Sequence, residues 1–83
     1  MSEANDKILF EKINKNDVKA FETLFHRYYK SLCLYAAKII KNDSAAEEIV
    51  QDLFVKLWEK RNTLEIKISV KNYLVRSVKN QCL

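Results

Sequence analysis

Not one glycine or proline occurs anywhere in the 83 residues, and this absence is the strongest limit on what the chain can form. Glycine supplies the positive φ of tight hairpin turns, and proline supplies sharp breaks. A chain lacking both is suited to helices joined by short Asn, Asp and Ser connections. An apolar fraction of 48%, with 11% of the chain aromatic, furnishes a single modest core and no second one. The expectation is an all-α fold over residues 1–83, a compact bundle of three main helices preceded by a short one.

The clearest helix is Ser44 to Arg61, SAAEEIVQDLFVKLWEKR. At about 100° per residue, Ala46, Ile49, Val50, Leu53, Phe54 and Leu57 share one side, with Trp58 at its edge. The opposite side gathers Glu48, Gln51, Asp52, Val55 and Glu59, an acidic surface with an aliphatic residue in its middle, which suits a basic partner. Ser44 followed by Glu47 fits a capping box, and Asp43, Glu47 and Glu48 are acids near a helix start, where the macrodipole favours them. That accounts for part of the acidic block but not for Gln51, Asp52, Val55 and Glu59. From spacing alone a solvated face and a partner surface both stay open.

Upstream, Asp6 to Asn14 carries Ile8, Leu9, Phe10 and Ile13, enough for a helix of about two turns after a frayed start. Asn14-Lys15-Asn16-Asp17 is the first break, since Asn tolerates the left-handed backbone and Asn or Asp can accept the first orphan amide of the next helix. Asp17 to Lys41 then reads as one long helix. Its stripe of Val18, Phe21, Leu24, Phe25, Tyr28, Leu32, Tyr35, Ala36, Ile39 and Ile40 is wider than one contact face needs and predicts a central helix with several neighbours. His26, the only histidine, falls on its polar side with no ligand or acid at useful spacing, and reads as a solvated surface residue. Cys33 and Cys82 read as buried, reduced thiols. Lys41-Asn42-Asp43-Ser44 is the second break.

Downstream, Leu64, Ile66, Ile68 and Val70 alternate with polar residues, as in a half-buried strand, but no other stretch offers a partner strand. The segment from Lys60 to Ser69 is therefore expected as an extended loop whose aliphatic side leans on the bundle. Ser69 can cap a last helix, Val70 to Leu83, with Val70, Tyr73, Leu74, Ser77 and Val78 inside. Asn72, Arg76 and Asn80 stand at i, i+4 and i+8 on its outer face, with Lys79 beside them and Tyr73 at the border. Cations can neutralise phosphates, Asn can meet a base edge and Tyr can stack on an unpaired base.

The net charge of +4 is unevenly spread. Residues 43–59 hold five acids against one Lys, and residues 60–83 hold six Lys or Arg against one acid. An acidic block abuts a basic one, which marks the basic end for nucleic acid and the acidic face for a protein. The start MSEANDK is no signal peptide and no apolar run approaches the roughly 18 residues that span a bilayer, so a cytoplasmic chain without membrane insertion is expected. A single His, with no Gly-rich phosphate loop, metal-ligand pair or nucleophile in register with a base, points away from an enzyme and from any metal or cofactor.

The Ala-Glu-Glu-Ile-Val-Gln-Asp-Leu-Phe run ending in Leu-Trp, from Ala46 to Trp58, resembles the second conserved region of bacterial extracytoplasmic-function sigma factors. Ala20 to Leu32, AFETLFHRYYKSL, is similar to that family's opening helix, and Lys71 to Leu83, KNYLVRSVKNQCL, to its minus-ten-reading helix, so the likeness runs from Ile13 to Leu83. Asn16 stands where many members have Gly. The resemblance implies that Glu48, Gln51, Asp52, Val55 and Glu59 dock on the β′ clamp helices of RNA polymerase. It implies that Lys60, Arg61, Lys67, Lys71, Asn72, Tyr73, Arg76, Lys79 and Asn80 meet the non-template strand of the minus-ten element, with the 60–69 loop helping to hold a flipped base. It also implies an anti-sigma factor as a further partner, and a second, helix-turn-helix domain not contained in these residues, as though the chain were a fragment. The alternative left by the residues themselves is a helical protein-interaction module that uses only the acidic face.

Overall fold

The computed structural model describes residues 3–83, and among them four helices and no strand occur: α1 Glu3–Asn14, α2 Val18–Ile40, α3 Asp43–Glu59 and α4 Val70–Cys82. The expected all-α bundle of three main helices and an N-terminal one is what forms. The first helix is longer than expected, starting at Glu3 rather than Asp6. The reason lies in a tertiary contact: Asp6 is 2% exposed and its carboxylate accepts from Arg27 Nη1 of α2 at 2.6 Å. Tyr28 donates a second hydrogen bond to the same carboxylate. Asp6, expected only as the first residue of the helix, is the polar anchor of α1.

The connections are tight because polar residues and left-handed backbone do the work of glycine. Asn16 and Lys41 have positive φ, 71° and 55°. Asp17 then caps α2, accepting from Ala20 N at 3.0 Å. After Lys41 has ended α2, only Asn42 remains before α3, and its side chain accepts from Ala45 N at 3.0 Å. This corrects the expected cap: Asn42 fills that place and Ser44 lies within the first turn. Because Lys41 already turns the chain, the next residue is the one left extended with a free acceptor. At the other end α3 stops at Glu59, two residues before the expected Arg61. Ser69 caps α4 as expected, accepting from Asn72 N at 3.1 Å.

Helix α2 is central, packing against α1, α3 and α4. Its width is used as the broad stripe predicts, although Val18 is exposed and Ala20 takes the buried place in the first turn. The core joins Phe10 and Ile13 of α1, Leu24, Leu32 and Ala36 of α2, Ala46, Val50, Leu53, Phe54 and Leu57 of α3, and Val70, Leu74 and Val78 of α4. Ile49 and Trp58 are half-buried at the margin of the α3 stripe. Between α3 and α4 the chain turns through 60–64 and then runs without helix or strand to Ser69, and Leu64 and Ile66 lean on the core while Ile68 is 40% exposed. Cys33 and Cys82 are free but half-buried rather than buried, and the loss of water around each pushes its thiol pKa up.

Candidate functional site

Two surfaces meet along α3. On the first, Glu48, Gln51, Asp52, Val55 and Glu59 are all exposed. Val55 is 55% exposed although aliphatic, and it borders a shallow groove between α2 and α3 lined by Phe21, Phe25, Phe54 and Trp58, with Gln51 and Glu59 at its edges. The groove floor is built of rings in contact with one another. Phe25 meets Phe54 edge-on with centroids 4.9 Å apart, and Phe21 lies 5.0 Å from Trp58. Gln51 Nε2 donates to Tyr29 Oη at 3.0 Å, tying the polar rim of α3 to α2. Asp52 is paired within its own helix, Oδ2 to Lys56 Nζ at 2.9 Å, with both side chains about half exposed. Such a pair is screened by water and leaves the carboxylate accessible to another cation.

The second surface runs from the end of α3 onto α4. Lys60, Lys67, Lys71, Asn72, Arg76, Lys79 and Asn80 are exposed, whereas Arg61 and Tyr73 are half-buried. A groove between α3 and α4, which Asp52 of the first surface also lines, brings Lys60 together with Tyr73 and Asn80, and adds Lys56, Ser77 and Gln81. These last three are not among the site residues that the sequence suggests. Ser77 reads there as an inner residue, and its hydroxyl donates to the Tyr73 carbonyl at 2.8 Å. The i, i+4 spacing of Ser77 and Gln81 is the signal that could have found them. Lys67 lies away from this groove and lines another, between α1 and the 60–69 loop, with Lys7, Glu11, Asn14, Glu65 and Ile68. Of the expected cations, Lys60 lines one concavity and Lys67 a neighbouring one, while Lys71, Arg76 and Lys79 stand on the exposed surface of α4 outside both.

Arg61 is occupied within the protein. Its guanidinium carbon lies 3.9 Å from the Trp58 ring centroid, Nη1 donates to the Trp58 carbonyl at 2.7 Å and Nε to Asn16 Oδ1 at 2.7 Å. His26 is exposed, as its place on the polar side of α2 predicts, with its ring edge-on to Phe25 at 5.5 Å. No helix among the described residues is long and apolar enough to cross a membrane.

The four helices thus carry an acidic, partly aliphatic face on α3 and, adjoining it, a groove that holds Lys56, Lys60, Tyr73 and Asn80. Comparison with protein families matches residues 24–83 to Sigma-70 region 2. The chain belongs to that family. Neither the comparison with curated proteins nor that with solved structures found a match. The matched stretch holds most of α2, all of α3 and the 60–69 loop, and α4, so every expected interface residue lies inside it. Helix α1 and the turn after it lie outside. Membership makes this a sigma factor domain, which acts in transcription initiation by engaging RNA polymerase and promoter DNA.

Proposed function

We propose that this sigma-70 region 2 domain is of the extracytoplasmic-function type, working in the bacterial cytoplasm. Its α3 face of Glu48, Gln51, Asp52, Val55 and Glu59 docks on the polymerase β′ clamp helices. The loop and α4 open the minus-ten element and hold its non-template strand, with Tyr73 and Asn80 at the bases and Lys60, Lys71, Arg76 and Lys79 at the phosphates. Lys67 reaches the strand from the loop side. An anti-sigma factor would regulate the domain by covering one of these faces.

The observation that carries this reading is an aliphatic residue left exposed in the middle of an acidic helix face, beside a floor of packed aromatic rings. A merely solvated face gains nothing from Val55, whereas a docking surface gains an apolar centre with a polar rim. Asp52→Lys tests it. Within the protein the change removes an exposed i, i+4 pair and sets two lysines together, costing about 1 kcal/mol or less. Against a basic clamp surface a misplaced charge costs several kcal/mol. The variant should fold and lose capture by the purified clamp helices, and equal capture of variant and parent would show the face to be wrongly assigned.

A further inference from the structure

The turn between α1 and α2 grips the start of the α3–α4 connection with asparagine side chains. Asn14 Nδ2 donates to the Arg61 carbonyl at 2.6 Å and to the Leu64 carbonyl at 3.3 Å. In the other direction, Asn62 Nδ2 donates to the Asn14 carbonyl and to Asn16 Oδ1, both at 3.0 Å. The same Asn16 oxygen accepts from Arg61 Nε, and Arg61 is held on its far side by Trp58. Asn16 stands at φ 71°. Glycine would adopt that backbone more cheaply but would bring no carboxamide, so the residue at this position serves the contact across the molecule as well as the turn.

What the grip fixes is the register of the loop. The 60–64 turn is hydrogen-bonded, with Thr63 N and Leu64 N both donating to the Lys60 carbonyl. From Leu64 to Lys67 burial then alternates residue by residue, half-buried, exposed, half-buried, exposed, as side chains do where successive residues point to opposite sides. Anchoring Arg61 to Leu64 therefore decides that Leu64 and Ile66 turn inward and that Glu65 and Lys67 turn outward.

We propose that Asn14 and Asn16 are positioning residues for strand reading, acting through Arg61 and Asn62, and that Arg61 is a strut of the loop rather than a phosphate contact. This rests on the proposal that the loop and α4 hold the melted strand. Both asparagines precede the stretch matched to the family, so the N-terminal segment supplies a support that the matched stretch does not itself contain.

The test uses the whole chain as parent, Asn16→Gly, which keeps the left-handed backbone and removes the acceptor, and Asn16→Asp, which keeps an acceptor. The probe is a fluorescein-labelled single-stranded DNA selected from a randomised pool for binding the parent, titrated against its scramble over a series of salt concentrations. Amide exchange of residues 61–69 is followed in parallel. The glycine variant should keep its circular dichroism, exchange faster in the loop and bind about three- to tenfold more weakly as the competent loop population falls. Its salt slope should match the parent's, because every phosphate-binding cation stays in place. Asn16→Asp should restore loop protection and most of the affinity. Unchanged loop exchange in Asn16→Gly, faster exchange at unchanged affinity, or a reduced salt slope would each overturn the positioning role while leaving strand reading intact. A parent that does not distinguish selected from scrambled DNA would instead remove strand reading itself, and the positioning role with it.

Discussion

Asp6→Asn takes a charge out of a place with almost no water. Asp6 is 2% exposed, the Arg27 side chain is 14% exposed, and Arg27 Nε is already buried without a partner. The asparagine can still accept one hydrogen bond, but it leaves the guanidinium uncompensated. Breaking a buried pair in this way costs about 3–5 kcal/mol, and the retained carbonyl puts the change near the lower end. The apolar docking of α1 rests chiefly on Phe10 and Ile13, both buried, at about 1.5–3 kcal/mol each.

The penalty is thus of the same size as what holds α1 to the bundle, so α1 should release before the rest unfolds. Native-state hydrogen exchange should show amides of α1 losing nearly all protection while those of α3 keep theirs. A chain of this length has a total stability of about 4–12 kcal/mol, so the thermal midpoint should also fall, by an amount on the order of 10–20 °C. Asp6→Leu combined with Arg27→Met should recover much of the stability, because an apolar pair replaces an ionic one at little net cost. Protection of α1 in Asp6→Asn within about 0.5 kcal/mol of the parent would refute the reasoning, since the carboxylate would then be solvated and unpaired.

The neighbouring Tyr28 adds a pH dependence. Burial, then its hydrogen bond to Asp6 and the charge on Asp6, raise its pKa from 10.0 to about 12, with Arg27 opposing. A raised phenol pKa means that the fold favours the neutral form, so this contribution is complete below pH about 10 and is lost as pH rises toward 12. Thermal melts across that window should show a decline that Tyr28→Phe flattens. At the start of α3, Asn42→Ala should cost about 1 kcal/mol in urea unfolding, whereas Ser44→Ala should cost much less, because Asn42 is the cap. On α4, removing Arg76 or Lys79 should weaken single-stranded DNA binding for every sequence and reduce the salt slope by about 1 for each phosphate no longer neutralised. Asn80→Ala should leave the slope alone and relax base discrimination by about 1–3 kcal/mol, measured as the ratio of affinities for selected and scrambled strands.

Helix existence and facing were legible because both follow from rotation per residue. Val50, Leu53, Phe54 and Leu57 are buried where the period puts them, and Val70, Leu74 and Val78 likewise. The same arithmetic placed Glu48, Gln51, Asp52, Val55 and Glu59 on one exposed face. Capping was legible only to the nearest residue or two, since Asn42, Asp43 and Ser44 can each accept an amide hydrogen and the choice depends on where Lys41 turns the chain. That Lys60 and Lys67 line different grooves was not legible, because it depends on how α4 and the loop sit against α3 and α1.

By itself the sequence determined the all-α class, the helix count, the faces of α3 and α4 and the family resemblance, because periodicity, missing glycine and proline, and short motifs act between residues close along the chain. Tertiary structure decided that Asp6 is a buried anchor, that Arg61 stacks on Trp58 and reaches Asn16, and that Asn14 holds Leu64. Those partners lie 21 to 50 residues apart for Arg27–Asp6, Arg61–Asn16 and Asn14–Leu64. Nothing in local spacing announces such pairings. An exposed-looking Asp or Asn acquires its role only when helix packing brings a guanidinium or a carbonyl within hydrogen-bond reach and shuts the water out.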